Sequence, residues 1–319
     1  MCTGMRLISK NNRVVYGRTL EFGQDLESSI MIVPRNLKFE ATAAENIKGM
    51  VWTSTYAVVG ANGVHQNHFI DGINEKGLAG GIFYFPHFSQ FQKVTMDDYN
   101  KTIAPWELLT FLLTTCESVA QVKEKVPHII VGAIIFAAWK AVPPVHFILH
   151  DSTGKSVVIE YRQEKLFLYD NECGVITNAP NFDWHITNLN NYISITPLNN
   201  PSYFISQGSG MLGLPGDFTS PSRFVRAHAY SKAAVDLNNE AETVDTLFHI
   251  LNLFSIPRGI VQEKTATAVA YDYTQWASGS DLYNKKYYYT SYTCREIKMI
   301  DLMAQDLDSK SIVIKELMR

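Results

Sequence analysis

The sequence lacks an apolar run long enough to cross a membrane as a helix. The longest run, Ile129 to Trp139, has 11 residues, whereas a membrane helix needs about 20. Residues 1–10 also lack the apolar segment of an export signal. We therefore expect a soluble cytoplasmic protein, or a periplasmic one if an export signal once preceded Cys2. We interpret the 129–139 run as a core element.

Positive charge is not in excess either. The 28 Lys and Arg residues are outnumbered by 31 Asp and Glu residues, which gives a formal net charge of −3. A protein that binds nucleic acid needs a basic surface to contact the phosphates. We therefore exclude nucleic acid as a partner. The hydrophobic fraction of 46% is, in contrast, ample for a large core.

Cysteine is scarce, and no pair of cysteines has C-x-x-C spacing. A disulfide framework needs a denser pattern in a shorter chain. Three of the four cysteines, Cys116, Cys173 and Cys294, lie in apolar or strand-like segments. There we expect each to be a small buried hydrophobic side chain. The fourth, Cys2, directly follows the initiator methionine.

Three motifs that resemble ligand sites lack the surroundings that such sites need. GSGMLG at 208–213 matches G-x-G-x-x-G, but no clear strand precedes it and no helix start follows. TGKS at 153–156 resembles a phosphate loop, but Leu149 stands where the first glycine is required. His65 and His68 have no accompanying ligand set, and we expect two surface histidines. We expect no nucleotide, no organic cofactor and no metal.

The first residues of the chain predict a β-hairpin. Residues 3–9 and 13–19 have the composition of strands, and the loop KNN separates them. Pairing these strands brings Arg18 and Glu21 back beside Cys2. The sequence therefore predicts a local cluster of a thiol, a guanidinium and a carboxylate.

The remaining strands and helices alternate in blocks rather than one by one. Apolar periodicity and capping residues predict helices over 105–125, 222–236 with Ser222 as the N-cap, and 240–254. Such blocks are typical of α+β proteins with antiparallel sheets and outer helices. Because no linker or repeat interrupts the chain, we expect one domain over 1–319. Further strands are predicted at 52–60, 77–84, 145–150, 156–161 and 165–169.

Cys2 has the features of an N-terminal nucleophile once Met1 is removed. Its thiol and its free α-amino group would share one Cα, so one residue supplies a nucleophile and a proton acceptor. An unperturbed α-amino group has a pKa of about 7.7–8.0, which suits a general base near neutral pH. A nearby cation such as Arg18 would favour the thiolate. Taken singly, a chance cysteine and a surface pair of Arg18 with Glu21 are simpler explanations.

Five motifs that follow one another along the chain favour the catalytic interpretation of Cys2 over a chance cysteine. They are MCTG at 1–4, YGRTLEF at 16–22, DGINEKGLAGGIFYFP at 71–86, GVITNAPNFDWHITNLNNY at 174–192 and GSGMLGLPGDFTSPSRFVR at 208–226. Together they resemble the choloylglycine hydrolase family, which contains bile salt hydrolases and penicillin V acylases. The similarity runs to about residue 305. It implies the fold of an N-terminal nucleophile (Ntn) hydrolase, an α+β four-layer αββα sandwich of two antiparallel sheets flanked by helices. It also implies hydrolysis of a linear, non-peptide amide.

The resemblance carries catalytic roles over to particular residues. Cys2 is the nucleophile, its α-amino group is the base, and Arg18 lies against the thiol. The side-chain amide of Asn178 and the backbone N–H of Tyr84 donate to the oxyanion, and Arg223 is the second arginine of the site. Without the family pattern, Asn178 would be interpreted as a turn residue and Arg223 as a surface residue at a helix start.

Two positions depart from the family pattern. The family usually has aspartate where this sequence has Glu21, whose carboxylate is expected to hold the cysteine and its amine. Tyr84 replaces the asparagine of typical Gram-positive bile salt hydrolases, whereas penicillin V acylases carry an aromatic residue there. Because the main chain supplies the oxyanion donor, we expect the tyrosine to change the pocket rather than the reactivity. Its flat face suits an aromatic acyl group such as phenoxyacetyl.

The family resemblance leaves the substrate open. We expect a small-molecule amide with an apolar acyl group, either a conjugated bile salt or a penicillin V-like N-acyl amide. Long-chain N-acyl amides, including acyl-homoserine lactones, are an alternative. A catalytically impaired protein that binds bile acids or acyl chains is another. The resemblance also implies a homo-oligomer, a dimer or a tetramer.

Overall fold

The computed structural model describes residues 1–202, 207–264 and 269–317. The strands are β1 Cys2–Ile8, β2 Val14–Phe22, β3 Ser29–Val33, β4 Lys38–Ala44, β5 Ile47–Thr53, β6 Val58–Asn62, β7 Phe69–Asn74, β8 Ala79–Tyr84, β9 Thr102–Ile103, β10 Ile130–Val131, β11 Val145–His150, β12 Ser156–Arg162, β13 Lys165–Asp170, β14 Val175–Ile176, β15 Val261–Lys264, β16 Val269–Asp281, β17 Lys286–Ser291, β18 Lys298–Asp301 and β19 Val313–Glu316. The α-helices are α1 Leu108–Thr115, α2 Val119–Lys125, α3 Phe182–Asn188, α4 Ser220–Ala233 and α5 Glu240–Asn252.

The first sheet is built around the predicted N-terminal hairpin, which the structure confirms. β1 and β2 pair antiparallel, with Cys2 opposite Leu20 and Gly4 opposite Arg18. Asn12 in the connecting loop has a φ of 59°, a left-handed conformation that asparagine tolerates well. The strand order is β14-β1-β2-β16-β17-β18, and β15 also pairs with β16. The hairpin register therefore places Cys2 at the end of a central strand.

The second sheet has the order β13-β12-β11-β8-β7-β6-β3-β19. Its apolar side chains alternate between two cores, as the period of a strand requires. On β3, Ile30 and Ile32 belong to the core that also contains residues of the first sheet. Met31 and Val33 belong to a separate core on the opposite face. Two stacked antiparallel sheets, each with one face toward the other, follow from this alternation.

Helices cover the outer face of each sheet. α4 packs on β1 and α5 on β2 and β16, whereas α1 packs on β7 and β8 and α2 on β12. Gly17 on β2 allows the close approach of α5, since a Cβ there would lie 2.5 Å from Leu247 Cδ2. The fold is thus the expected αββα sandwich. Among the described residues, no helix is long and apolar enough to span a membrane.

The helix predicted over 105–125 is wrong in its extent, because two helices occupy that segment. The chain leaves helical geometry at Cys116, whose backbone is extended. It re-enters at α2, where the Ser118 side chain accepts a hydrogen bond from the N–H of Gln121. A serine or threonine that caps a helix competes with continued helix in this way. The apolar periodicity alone did not reveal this break.

Two other details of the secondary-structure prediction are wrong. The strand predicted over 52–60 spans a connection, since β5 ends at Thr53 and β6 begins at Val58. The N-cap of α4 is Thr219 rather than Ser222, whose hydroxyl instead donates to Asp217 Oδ2 over 2.7 Å. The first turn of this helix therefore begins earlier than the sequence indicated.

The expectation of burial holds for one of the three remaining cysteines. Cys116 is buried, but Cys173 and Cys294 are only partly buried, and all four cysteines are free. The 129–139 run is only in part a core element, because Ile129, Val131 and Ile134 are buried while Ile135 is 61% exposed. The run forms little regular structure beyond β10. Phe136 and Trp139, near its end, line a cleft.

Candidate active site

Cys2 lines a largely apolar cleft that is open to solvent. Its side chain is 4% exposed. Four of the six predicted site residues line this cleft: Cys2, Arg18, Glu21 and Tyr84. The two others, Asn178 and Arg223, do not line the cleft but hydrogen-bond to the main chain of Cys2. The structure therefore brings together residues from distant parts of the chain.

Asn178 and Arg223 hold the backbone of Cys2 from both sides of its Cα. The N–H of Cys2 donates to Asn178 Oδ1 over 2.8 Å. The Arg223 guanidinium donates to the carbonyl oxygen of Cys2 and, over 2.7 Å, to Asn178 Oδ1. It also donates to Thr3 Oγ1 over 2.9 Å. With Oδ1 accepting two hydrogen bonds, the orientation of the Asn178 amide is fixed.

The Asn178 amide nitrogen points toward Tyr84. Nδ2 donates to the carbonyl oxygen of Tyr84 over 2.6 Å, which uses one of its two N–H groups. Directly after β8, the N–H of Phe85 donates over 2.7 Å to the carbonyl oxygen of Pro144, the residue before β11. Because successive residues of a strand alternate in the side to which their N–H points, the N–H of Tyr84 points away from β11. The N–H and the carbonyl oxygen of Tyr84 therefore point to the same side, which is the side of Asn178.

Arg18 is fully buried beside the thiol. Its Nη1 donates to the carbonyl oxygen of Ile82 over 2.5 Å, and its guanidinium carbon lies 4.1 Å from the centre of the Phe83 ring. Burial lowers the pKa of Arg18, but the charges of Cys2, Tyr16, Asp71 and Glu21 raise it by more. The guanidinium is therefore positively charged. Among the described residues, its Nη2 has no hydrogen-bond partner.

The side chain of Glu21 is buried, and its main chain pairs with the first residue of the chain. Its backbone pairs with Met1: the N–H of Glu21 donates to Met1 O over 2.8 Å, and the Met1 amino group donates to Glu21 O over 2.6 Å. Thr274 Oγ1 donates to Oε1 over 2.9 Å, whereas Oε2 has no partner in the described part of the chain. Burial raises the pKa of the Glu21 carboxyl, and the terminal amine and Arg223 oppose that rise.

An aromatic wall forms one side of the cleft; it consists of Phe22, Tyr84, Trp106, Phe136 and Trp139. The rings of Phe22 and Trp139 stack with centroids 5.6 Å apart, and Tyr84 meets Phe22 edge-on, also at 5.6 Å. Phe136 and Trp139 belong to the apolar 129–139 run. The end of this run is thus part of the cleft, which the sequence analysis did not predict.

His68 corrects the expectation of two surface histidines. His65 is exposed, but His68 is half-buried and lines the cleft. Burial lowers the pKa of His68 to about 4, so its imidazole is neutral at pH 7. Among the described residues, no group of three or more His, Cys, Asp or Glu side chains is placed to hold a metal ion.

Asp71 is a buried residue of the site that the sequence analysis quoted in a motif but assigned no role. Its Oδ1 accepts from Tyr16 Oη over 3.0 Å, and its Oδ2 accepts from Ser278 Oγ over 2.7 Å and from Tyr287 Oη over 2.9 Å. Its charge acts on Arg18. Burial raises the pKa of the Asp71 carboxyl, and the charge of Arg18 with these hydrogen bonds opposes that rise. Its position at the start of the DGINEKG motif was the available signal.

Known proteins resemble this chain in sequence and in fold. A family model described as linear amide C–N hydrolases, choloylglycine hydrolase family, matches residues 2–315. The bile salt hydrolase/transferase of Clostridium perfringens is 34% identical, over 98% of this chain and 95% of its own. A solved structure of a mutant conjugated bile acid hydrolase from Clostridium perfringens matches with a TM-score of 0.86 and 32% identity, over 99% of this chain and 97% of that chain. Penicillin V acylase from Agrobacterium tumefaciens, at 24% identity and a TM-score of 0.78 over 98% of this chain and 90% of that one, supports the fold alone.

Proposed function

The chain belongs to the choloylglycine hydrolase family of linear amide C–N hydrolases, and we propose that Cys2, freed by removal of Met1, is the nucleophile of its amide hydrolysis. One observation carries the proposal. Cys2 is held at the end of an apolar cleft by hydrogen bonds from its N–H to Asn178 and to its carbonyl from Arg223. These bonds fix the Cα from which both the thiol and the future amine project.

The amine of Cys2 is the proposed base. While Met1 is attached, the nitrogen of Cys2 is an amide and cannot accept a proton. After its removal, the free amine takes the thiol proton, and the thiolate attacks the amide carbon of the substrate. Collapse of the tetrahedral intermediate breaks the C–N bond, and the protonated amine gives its proton to the leaving amine. A water molecule, deprotonated by the same amine, then hydrolyses the thioester to the carboxylic acid.

Asn178 and Tyr84 are the proposed oxyanion donors. One N–H of the Asn178 amide is used by the carbonyl of Tyr84, which leaves the second for the substrate oxygen. The N–H of Tyr84 points to the same side. Fixed donors aimed at a developing oxyanion contribute about 2.7–4 kcal/mol each. Arg223, by donating to Asn178 Oδ1, keeps the amide nitrogen rather than its oxygen on the Tyr84 side.

Arg18 and Glu21 have separate proposed roles, one at the thiol of Cys2 and one at its amine. Arg18, a buried cation beside Cys2, stabilises the thiolate. Glu21, whose main chain pairs with the residue that is lost, has an unpartnered Oε2 among the described atoms. We propose that this oxygen receives the α-ammonium group of Cys2 after processing, and thereby orients the amine toward the thiol.

The proposed substrate is an N-acyl amide with a flat apolar acyl group, and a conjugated bile salt is the first candidate. The cleft that Cys2 lines is largely apolar. The similarity to bile salt hydrolase/transferase over nearly the whole chain supports a steroid amide. The aromatic wall favours a second candidate, penicillin V, because a phenoxy ring would stack on Trp139 or Tyr84. Long-chain acyl amides remain the alternative to both.

A combined mass and activity experiment tests the nucleophile. The active wild-type protein should have lost the mass of Met1, and Cys2→Ala should abolish hydrolysis of glycocholate, taurocholate and penicillin V. Cys294→Ala removes a thiol that is only partly buried and should retain full activity. An active protein that keeps Met1 contradicts the mechanism. Iodoacetamide should label Cys2 far faster than the other cysteines at pH 7; slow labelling together with substrate binding would favour the impaired binding protein instead.

We also propose that the chain acts as one domain over 1–319 and forms a homodimer or homotetramer. The family match over residues 2–315 supports the single domain. The oligomer is supported by exposed apolar side chains in the segment after α3. Ile193 and Leu198 there are 83% and 73% exposed, and exposed apolar patches commonly mark an interface. Light scattering coupled to size exclusion measures the oligomer directly, and a monomer at micromolar concentration would contradict it.

A further inference from the structure

Two buried histidines lie directly behind Asn178 without a role in the mechanism above. His146 is on β11 and His185 is on α3. Their side chains are 1% and 2% exposed. Burying an imidazole is unfavourable unless its ring nitrogens find partners. The contacts of these rings therefore indicate what they stabilise.

Both rings contact the main chain of consecutive residues. His146 Nε2 lies 3.1 Å from the carbonyl oxygen of Thr177, and His185 Nε2 lies 2.9 Å from the carbonyl oxygen of Asn178. A carbonyl oxygen only accepts hydrogen bonds. Each histidine therefore carries a proton on Nε2 and donates it to the segment that presents the Asn178 amide.

Aromatic stacking fixes the plane of each imidazole. Phe85 stacks on His146 with centroids 4.3 Å apart and planes inclined by 2°. Phe224 stacks on His185 at 4.6 Å and 9°. Such stacked contacts favour one orientation of each ring. The direction of each N–H donor is thus set by packing before any substrate arrives.

The opposite ring nitrogens have different surroundings. His146 Nδ1 lies 3.3 Å from Glu160 Oε1, which also accepts from the N–H of Phe182 over 2.9 Å. His185 Nδ1 has no partner among the described residues, and burial lowers the pKa of His185 to about 4. His185 is therefore neutral at pH 7 and has a single donor, which it gives to Asn178.

We propose that His146 and His185 are positioning residues that clamp the main chain at Thr177 and Asn178, and so aim the Asn178 amide at the oxyanion. The inference rests on the proposed function, since it requires Asn178 to be an oxyanion donor. The N–H of Asn178 is held as well, by Ser220 Oγ over 2.9 Å. With N–H and both carbonyls fixed, the Asn178 side chain needs no reorganisation in the transition state. A displacement of about 1 Å at such a group costs on the order of a hundredfold in rate.

Substitutions of His185 separate this clamp from simple packing. His185→Phe keeps an aromatic ring on Phe224 but removes the donor, and His185→Gln keeps a donor. We expect His185→Phe to lower kcat 10- to 100-fold with KM within twofold, and His185→Gln to recover most of that loss. The substrate is whichever of glycocholate, taurocholate and penicillin V the wild type hydrolyses fastest. If His185→Phe does not fold, His185→Asn, whose amide is too short to reach the carbonyl, should show the same loss.

The second readout is the rate of Cys2 alkylation by iodoacetamide. Alkylation develops no oxyanion, so His185→Phe should leave it within twofold of wild type. The matched control is His150→Phe on β11: His150 is also fully buried, lies 4.8 Å from the Tyr16 ring and should retain kcat within twofold. His146→Gln, which keeps a donor, should stay within threefold.

The outcomes distinguish the two proposals. If His185→Phe keeps wild-type kcat while Asn178→Ala loses it, the clamp is wrong and the oxyanion role stands. If Asn178→Ala itself keeps wild-type kcat, the oxyanion role is wrong and the clamp fails with it. Equal losses in His185→Phe, His185→Gln and His150→Phe would assign the effect to packing and overturn the clamp.

Discussion

The N–H of Cys2 donates to Oδ1 of Asn178 over 2.8 Å, although 176 residues separate them in the chain. This bond crosses from the start of β1 to the loop after β14, two strands that pair side by side. It fixes the reacting residue relative to the group that we propose as its oxyanion donor. The first prediction follows from it.

Replacing Asn178 should separate binding from catalysis. Asn178→Ala removes one oxyanion donor, and we expect kcat to fall by a factor on the order of 100–1,000, while KM changes little. Asn178→Asp keeps the shape but replaces the N–H donors by an oxygen, and should lose at least as much. Steady-state kinetics measure both. A rise in KM at constant kcat would instead assign Asn178 to substrate binding.

Glu21→Asp should lower activity, although aspartate is the usual family residue. The backbone of β2 holds Glu21 opposite Thr274, with Thr274 Oγ1 bonded to its carboxylate. Shortening the side chain by one methylene withdraws the carboxylate from the amine that it is proposed to orient. We expect a 10- to 100-fold lower kcat, and a larger loss for Glu21→Gln. Wild-type turnover in Glu21→Asp would show that the strand accommodates either length.

Gly81→Ala should disturb Arg18 without touching Cys2. A Cβ at Gly81 would lie 2.7 Å from Tyr16 Oη and 3.0 Å from both Arg18 Nη1 and Asp71 Oδ1. We expect a loss of about 1–3 kcal/mol in the free energy of unfolding, measured in urea, and slower alkylation of Cys2. Gly216→Ala is the control, because its Cβ would meet no atom within 4 Å. Normal stability of Gly81→Ala would mean that the buried cluster is not tightly packed.

Acid should destabilise the protein through His68, which is half-buried, and His185, which is buried. Burial lowers the pKa of both His68 and His185 to about 4, against about 6.5 in an unfolded chain. The folded state therefore binds fewer protons than the unfolded state, and stability is lost as the pH falls from about 6.5 to 4. His68→Gln should remove about 2–3 kcal/mol of this dependence. Urea denaturation at pH 7 and pH 4.5 measures the free energy of unfolding of both proteins. If the difference between the two pH values is the same in His68→Gln as in the wild type, His68 is in contact with solvent.

Tyr84→Asn should change substrate preference rather than reactivity. The proposed oxyanion donor at this position is the main-chain N–H, which the substitution keeps. The ring, however, packs on Phe22 in the aromatic wall. We expect KM for penicillin V to rise about tenfold, with KM for glycocholate changed less and kcat within threefold for both. A collapse of kcat on both substrates would show that the ring also supports the oxyanion site.

Much of the site was accessible from the sequence because it is local. The KNN loop and two strand-like segments predicted the hairpin, and pairing in register necessarily places Arg18 and Glu21 near Cys2. A two-residue error in strand bounds does not change that neighbourhood. Asn178 and Arg223 were different, since only the family resemblance indicated them. Their contacts with Cys2 depend on how β14 and α4 pack on β1.

Other residues were predicted wrongly because their surroundings come from distant segments. His68 directly precedes β7 and Trp139 lies before β11, and no local sequence pattern predicts that both line the same cleft. The same holds for the buried partners of Asp71, which come from β2, β16 and β17. The helix predicted over 105–125 failed for a local reason, a serine cap that periodicity does not register.

The sequence by itself determined the local elements of the candidate site: a cysteine at position 2, a hairpin that returns a cation and a carboxylate to it, and apolar alternation suited to stacked sheets. Only the tertiary structure decided how the Asn178 amide is oriented, which aromatic rings line the cleft and which histidines contact the main chain of Thr177 and Asn178. The physical reason is that strand period and turn residues act over a few positions. Hydrogen-bond direction and burial, in contrast, depend on which separate segments pack together, as when Cys2 meets Asn178 176 positions along the chain.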